Sequence, residues 1–284
     1  MTKQLHSRIE SCYPSMSKGH RRIADYITEN YDKAAFMTAA KLGDTVGVSE
    51  STVVRFASEL GFSGYPRLQK ALQEVVKSRL TSVQRMEAAG GEDMLEHAFS
   101  SDIETIKITR ESISREAFNA SVEAINRARH IYVLGVRSAA SLASFAAFYL
   151  NFVYDSVTLI EPAGTGEAFD QAFRINKDDV CIAISFPRYS KQTINMLRFI
   201  SDRGATVISV TDSENSPIAQ FATHLLLARS SMVSFVDSLV APLSLVNALI
   251  AAAASEKSGE VYSNLSSLEN IWDEYQIYQT HEDE

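Results

Sequence analysis

Two short segments of the chain combine serine, arginine and lysine side chains in a spacing suited to binding a small anion. The candidate ligand-binding residues are Gly135, Arg137 and Ser138 in the first segment, and Ser185, Arg188, Tyr189, Ser190 and Lys191 in the second. Each segment follows an apolar run and opens a helical one, where unpaired N–H groups favour an anion. No acidic residue lies between positions 135 and 154 or between 181 and 198. We therefore expect a locally positive site for a small anion such as a phosphate ester, although such serines can also simply cap helices.

Short apolar segments rich in β-branched residues must position these loops. They cover residues 130–135, 156–160, 180–185, 205–210 and 224–228, with helical segments between most of them. Almost wholly apolar strands that alternate with helices indicate a parallel sheet covered on both faces. Ligands of such sheets bind outside the carboxyl ends of the strands, which is where both segments fall. The pattern predicts an α/β three-layer sandwich with a parallel five-stranded sheet, followed by a long helix over 235–257.

The N-terminal part shows a different pattern, in which two short helical stretches meet at Gly47. Leu42 and Phe56 fall where two crossing helices must touch, and Gly43 leaves room for a close approach. This is the layout of an all-α helix-turn-helix bundle, whose second helix enters the major groove of DNA. The outward face of that helix carries the candidate DNA-binding residues Ser49, Glu50, Ser51, Thr52 and Arg55. Hydroxyls can bind phosphates or base edges and Arg55 can pair with guanine, but a bundle that does not bind DNA would show the same pattern.

The two parts also differ in charge, although the 284-residue chain as a whole has a formal charge of −8. Residues 1–80 hold 12 of the 27 basic and 8 of the 35 acidic side chains, which leaves 15 and 27 for the rest. A basic part joined to an acidic part indicates two roles, one of them toward a polyanion. We expect a helix-turn-helix domain at 1–80, a hinge and linker helix at 81–104 containing Gly90 and Gly91, a ligand-sensing and dimerisation domain at 105–257, and an acidic C-terminal helix and tail at 258–284.

Cysteine, histidine and apolar residues exclude several other classes. Cys12 and Cys181 form neither a disulfide framework nor a metal-ligand spacing, so we expect a reducing cytoplasm. The longest apolar stretch, 239–254, is too short and interrupted to span a membrane, and the N-terminus lacks an apolar targeting segment. No histidine has another three or four residues away, and we expect neither a metal site nor a cofactor.

Several closely spaced segments of the N-terminal part resemble the DNA-binding domain of RpiR-type transcriptional regulators. They are residues 23–27, 47–49, 52–56 and 60–66, within a resemblance that spans about 10–77. The resemblance implies a helix-turn-helix that binds operator DNA as a dimer. It also implies that Tyr65, Arg67 and Lys70 contact phosphates beside the recognition helix. The alternative is that these three belong only to the last helix of the bundle, with Tyr65 partly in its core.

The C-terminal part is similar, over about residues 105–250, to the SIS (sugar isomerase) fold that RpiR-type regulators carry as their second domain. The family grips a sugar phosphate with a Gly-x-Gly-x-Ser turn and a Ser-x-Ser-Gly-x-Thr turn. Gly135 and Ser185 match the first residues of these two turns, and Ser190 takes the place of the threonine. The resemblance therefore implies that these loops bind the ligand.

Both turns depart from the family pattern at their centres. Arg137 stands where a second glycine is usual, and Ser138 falls one position earlier than the family's serine. Pro187 and Arg188 replace a serine and a glycine of the second turn. Loss of a hydroxyl and gain of a guanidinium imply altered anion recognition, so a phosphosugar, a sugar acid and another carboxylate all stay open as ligands.

The remaining question is whether this part is a catalyst or a sensor. Aldose–ketose isomerisation requires a positioned base, for which Glu167 and His224 are the candidates, although both positions have simpler explanations as a helix start and a packing histidine. We interpret the chain as a ligand-responsive DNA-binding transcriptional regulator of carbohydrate metabolism genes, not an enzyme, whose partners are operator DNA and a small anionic effector, a sugar phosphate or related anion. We expect a homodimer or homotetramer. The alternatives are a sugar-phosphate isomerase and a phosphosugar-binding adaptor that does not bind DNA.

Overall fold

The chain divides into two compact units, Met1–Gly91 and Glu92–Glu284, and each is described by itself. The computed structural model describes residues 3–79, 81–88, 93–161 and 166–278. Gly90 and Gly91 of the expected hinge lie outside the described residues. Each unit contains its own apolar core, as expected for a chain that is too long to fold around a single hydrophobic core.

The first unit is entirely helical in the part that the structure describes. Its helices are α1 (Lys3–Cys12), α2 (Lys18–Glu29), α3 (Tyr31–Ala34), α4 (Ala39–Val46), α5 (Glu50–Glu59), α6 (Tyr65–Arg79) and α7 (Ser82–Ala88). Hydroxyl side chains start three of them: Ser17, Thr38 and Ser49 each accept a hydrogen bond from the backbone N–H three residues on. Fully buried Leu42 of α4 and Phe56 of α5 lie in the core, as the helix-turn-helix pattern predicted.

The second unit is a three-layer α/β domain. Its elements are α8 (Met94–Ser112), α9 (Arg115–Arg127), β1 (Ile131–Gly135), α10 (Ala139–Leu150), β2 (Val157–Ile160), α11 (Glu167–Ala172), β3 (Val180–Ile184), α12 (Lys191–Asp202), β4 (Thr206–Thr211), β5 (His224–Leu227), α13 (Val240–Glu256) and α14 (Ser258–Glu274). The sheet has the order β2-β1-β3-β4-β5 and all four pairings are parallel. The predicted five-stranded parallel sheet is confirmed.

Helices cover both faces of the sheet because its strands are apolar on both sides. Ile131 and Val133 pack in one core cluster with α9, α10 and α13. Their neighbours Tyr132 and Leu134 pack in a second cluster with α11 and α12. This alternation follows from the two-residue period of a strand.

The long helix expected over 235–257 begins five residues later, at Val240. Met232 and Asp237 form an antiparallel bridge, and the Ser238 hydroxyl accepts a hydrogen bond from Val240 N. These contacts hold the preceding residues in a turn instead of a helix. Within the described ranges, no helix is both long and apolar enough to cross a membrane.

Candidate functional site

The turn between α4 and α5 is closed by two glycines with different roles. Gly47 ends α4 in the left-handed conformation at φ 69°, which suits a residue without a side chain. A Cβ on Gly43 would lie 2.8 Å from the Val48 carbonyl oxygen, so only glycine allows α4 this close to the start of α5. The predicted close approach at Gly43 is therefore confirmed.

The outward face of α5 presents the hydroxyls and the arginine that the sequence singled out. Ser49, Glu50, Ser51 and Arg55 are exposed, and Thr52 is half-buried. The Ser49 Oγ lies 3.0 Å from Ser51 Oγ and 2.8 Å from Thr52 Oγ1. Arg55 Nε donates to the Ser51 carbonyl oxygen at 3.3 Å. The structure thus places all five within the N-terminal cap and the first six residues of α5.

Of the three further phosphate contacts implied by the resemblance, Tyr65 needs correction. Its side chain is 3% exposed, and its hydroxyl donates to the Met37 carbonyl oxygen at 2.8 Å. Burial raises the pKa of Tyr65 to about 12. Tyr65 is a core residue that ties α6 to the segment before α4, whereas Arg67 and Lys70 are exposed on α6.

The start of α2 brings basic side chains close to the turn between α4 and α5. The sequence-based predictions did not include these side chains. Arg22 Nη1 donates to the Gly47 carbonyl oxygen at 3.2 Å. A Cβ on Gly19 would lie 3.4 Å from the Thr52 methyl group, and Lys18 is exposed beside it. Residues 18–22 form a basic run in the sequence, but the sequence near this run does not indicate that it contacts Gly47.

In the second unit, the two predicted anion-binding loops lie side by side. They follow β1 and β3, neighbouring strands in which Gly135 is paired with Ile184. Gly135 is required for packing: a Cβ there would lie 2.5 Å from the Ala139 carbonyl oxygen and 2.7 Å from the Ala143 Cβ. The start of α10 thus packs directly against the end of β1.

Both central arginines adopt the left-handed backbone conformation. Arg137 has φ 59° and Arg188 has φ 66°, and both are exposed. These are the positions where the resemblance expects glycine, the residue that adopts this conformation without cost. Each of these two arginines therefore has a backbone conformation that a glycine could also adopt.

The other residues of the predicted ligand set differ from one another in exposure and in whether they cap a helix. Among the described residues, Ser138 caps none of the first N–H groups of α10 through its side chain, and it is exposed. Ser185 is buried, and its N–H donates to the Val210 carbonyl oxygen. Ser190 accepts a hydrogen bond from Gln192 N at 3.2 Å, which is the plain helix cap considered as its alternative role. Lys191 is exposed at the start of α12.

A third loop, after β4, joins this edge of the sheet through Asp212. The Tyr189 hydroxyl donates to Asp212 Oδ1 at 2.6 Å. Burial raises the pKa of Asp212, and the hydrogen bond from Tyr189 and the charge of Arg229 act in the opposite direction. The contact brings this third loop to the same edge of the sheet as the loop after β3.

The two candidate bases for an isomerase are not brought together. Glu167 is exposed at the start of α11, and His224 opens β5. His224 opens the outer strand β5, two strands from β3, and its pairing with Ile208, which is itself paired with Ile182, places it level with the middle of β3. Over residues 3–79, 81–88, 93–161 and 166–278, no group of histidine, cysteine, aspartate and glutamate could hold a metal ion.

Fold and sites together define a helix-turn-helix unit joined to a SIS-type unit. Residues 3–79 match the model of the helix-turn-helix domain of the rpiR family, and residues 124–252 match the SIS domain. The sugar isomerase domain of an RpiR transcription factor from Sphaerobacter thermophilus is 30% identical, with a TM-score of 0.57, over 61% of this chain and 96% of that structure. The chain belongs to the RpiR family of transcriptional regulators.

Full-length relatives extend the similarity over both units. An HTH-type transcriptional regulator of Haemophilus influenzae is 25% identical over 228 residues, which cover 78% of each chain. HexR, an HTH-type transcriptional regulator of Pseudomonas aeruginosa, is 25% identical over 78% of this chain and 77% of its own. The NanR protein of Vibrio vulnificus, complexed with ManNAc-6P, has the same fold, with 23% identity and a TM-score of 0.60 over 96% of this chain and 99% of that structure.

Proposed function

We propose that this regulator senses a phosphorylated sugar or a related small anion through the loops after β1 and β3, and that the ligand changes the affinity of α5 for operator DNA. The observation that carries the proposal is the pair of left-handed arginines, Arg137 and Arg188, on adjacent loops. Each precedes a helix N-terminus, where N–H groups and guanidinium groups can share one anion. The ligand in the NanR complex is also a sugar phosphate, which supports this class.

We further propose that the SIS unit is a sensor and not a catalyst. An isomerase must hold a base within hydrogen-bonding reach of the proton it moves. His224 lies on the outer strand β5, two strands from β3 and its Arg188 loop, and Glu167 stands exposed at a helix start. The loops after β1 and β3 thus supply cations for binding, while His224 lies on a strand that carries neither loop.

A thermal-shift screen of sugar phosphates, sugar acids and small carboxylates tests the ligand class. Arg137→Gly and Arg188→Gly are the sharpest variants, because glycine keeps the left-handed backbone while it removes the cation. We expect each to weaken binding of the hit at least tenfold, since a charge-assisted hydrogen bond contributes about 1.5–3 kcal/mol. Arg127→Ala, on the exposed side of α9, is the matched control and should leave the shift unchanged.

The same hits are then added to a promoter-fragment retardation assay at two salt concentrations. A ligand that changes DNA affinity must bind with altered affinity to the DNA complex, since coupling is reciprocal. A thermal shift retained in a chain that carries both Arg137→Gly and Arg188→Gly would place the anion site elsewhere. Turnover of a sugar phosphate that is lost in Glu167→Gln would establish the isomerase, and absence of salt-dependent retardation of any fragment would establish the adaptor.

A further inference from the structure

The loop after β4 places a half-buried carboxyl group, that of Asp212, at the same edge of the sheet as the loops after β1 and β3. Gly135 of β1 is paired with Ile184 of β3, and Ile184 is paired with Val210 of β4. Arg137 and Asp212 each come two residues after this paired row. Arg137 and Asp212 therefore lie just beyond the row, on either side of the loop after β3.

The spacing of the strands sets the scale of this edge. Neighbouring strands lie about 4.7–4.9 Å apart, and β3 separates β1 from β4. The chain therefore leaves β1 and β4 at points roughly 10 Å apart, and the loop that carries Arg188 and Tyr189 lies between these points. A ligand that lies along this edge meets cations at one end and a carboxyl group at the other.

The carboxyl group of Asp212 is held in place by hydrogen bonds that do not use all of its acceptor sites. The Tyr189 hydroxyl donates to Oδ1 at 2.6 Å, and the Thr211 hydroxyl donates to the same atom at 3.3 Å. The backbone N–H of Asp212 is a third donor. A carboxylate has about four acceptor sites, so one is available to a bound ligand. Burial raises the pKa of Asp212, and a donor on the ligand would replace the water that burial removes.

We propose that Asp212 accepts a hydrogen bond from a hydroxyl group of the effector, which is therefore a phosphate ester of a sugar or polyol without a second acid group. This inference rests on the proposed function, because it takes the loops after β1 and β3 as the anion site. A carboxylate only accepts hydrogen bonds, so a hydroxyl satisfies it, whereas a second carboxylate would bring like charges together. Arg229 follows β5, and its charge acts on Asp212. It is the competing partner for a second acid, and the test decides between the two.

Calorimetric titration of the full chain with matched pairs of ligands tests this role. The pairs are glycerol 3-phosphate with 3-phosphoglycerate, erythritol 4-phosphate with 4-phosphoerythronate, and glucitol 6-phosphate with 6-phosphogluconate. The two members of each pair differ only in a terminal alcohol or carboxylate group. In the pair that binds best, we expect the alcohol to bind at least about tenfold more tightly than the acid, because a buried acceptor rejects a like charge.

Asp212→Asn changes the chemistry of this group while it keeps its shape. The asparagine oxygen still accepts from Tyr189, and an NH2 group that donates replaces Oδ2. The preference for the alcohol should therefore fall to less than about threefold, mainly because the acid binds more tightly. Asp178→Asn is the matched control, since Asp178 is exposed just before β3, at the opposite end of that strand, and this variant should keep the wild-type preference. Thermal unfolding verifies that both variants are folded.

The outcomes distinguish this inference from the proposed function. If the alcohols bind and require Arg137 and Arg188, but Asp212→Asn keeps the wild-type preference, the role of Asp212 is overturned and the anion site stands. Wild-type binding of an acid as tight as that of its alcohol would assign this end of the site to Arg229 and would also overturn the inference. If no member of any pair binds, the ligand class inferred here is wrong, and the thermal-shift screen described above decides the anion site independently.

Discussion

Replacing Gly43 with alanine isolates the close approach on which the helix-turn-helix geometry depends. In a solvated helix this change gains about 1 kcal/mol of helix propensity. Here the new Cβ would meet the Val48 carbonyl oxygen at 2.8 Å, the Ser49 carbonyl carbon at 3.3 Å and the Glu50 nitrogen at 3.4 Å. All three atoms are backbone, so no side chain can rotate away and α5 must move.

The net effect follows from setting these two contributions against each other. Overpacking that forces backbone shifts costs roughly 1–3 kcal/mol, and because three backbone atoms must give way we expect the upper part of that range, about 2–3 kcal/mol, against a gain of about 1 kcal/mol. We expect Gly43→Ala to destabilise the first unit by about 1–2 kcal/mol. Gly19→Ala is the matched control in the same unit, because its Cβ would meet only the side-chain carbons of Thr52 and Val48, at 3.4 and 3.5 Å, and the Ser17 hydroxyl at 4.0 Å. That change should be neutral or stabilising.

Hydrogen exchange of the full chain, read on peptides that cover α4 and α5, measures local opening without separating the units. A loss of 1–2 kcal/mol corresponds to exchange about 5–30-fold faster in these peptides. Because α5 moves, operator affinity should fall as well, whereas Gly19→Ala should keep its exchange rates. If Gly43→Ala exchanged as slowly as Gly19→Ala, steric exclusion of a side chain would not be the reason for glycine at position 43.

Three further outcomes can be measured. Arg55→Ala should weaken operator binding by about 1–3 kcal/mol in a retardation assay, and unchanged affinity would remove Arg55 from DNA readout. Tyr65→Phe should lower the free energy of unfolding by about 0.5–1.5 kcal/mol. Operator affinity should not change, because Gln69 also donates a hydrogen bond to the Met37 carbonyl oxygen and holds it in place. Reduced operator affinity would instead indicate that Tyr65 contacts a phosphate. Burial raises the pKa of Asp212, so its ionisation costs stability as pH rises from the ordinary value near 4 through the raised one; Asp212→Asn should flatten that decline in urea titrations, and an unaltered slope would contradict it.

The sequence predicted the elements better than it predicted their contacts. Strands β1 and β3 could be placed to within one residue because their apolar runs end at Gly135 and Ser185, beside helix starts. For Tyr65 the sequence left two roles open, a phosphate contact and a core residue, because its orientation depends on a carbonyl group 28 residues away. The bond between Arg22 and the Gly47 carbonyl spans 25 residues and was missed for the same reason. Periodicity reports which face of a helix is buried, but it does not report the neighbour that buries it.

The two arginines show how a departure from a family pattern can be interpreted with a structure. From sequence alone, replacing glycine by Arg137 and Arg188 could mean that the turns had changed shape. The structure keeps both turns in the left-handed conformation, which costs a non-glycine residue roughly 1–2 kcal/mol each. Backbone strain of this kind persists where the surrounding structure enforces it and clusters at functional sites. Two such residues follow adjacent strands, and both are cationic. This combination of backbone strain with positive charge is why the proposed anion site is assigned to these two loops.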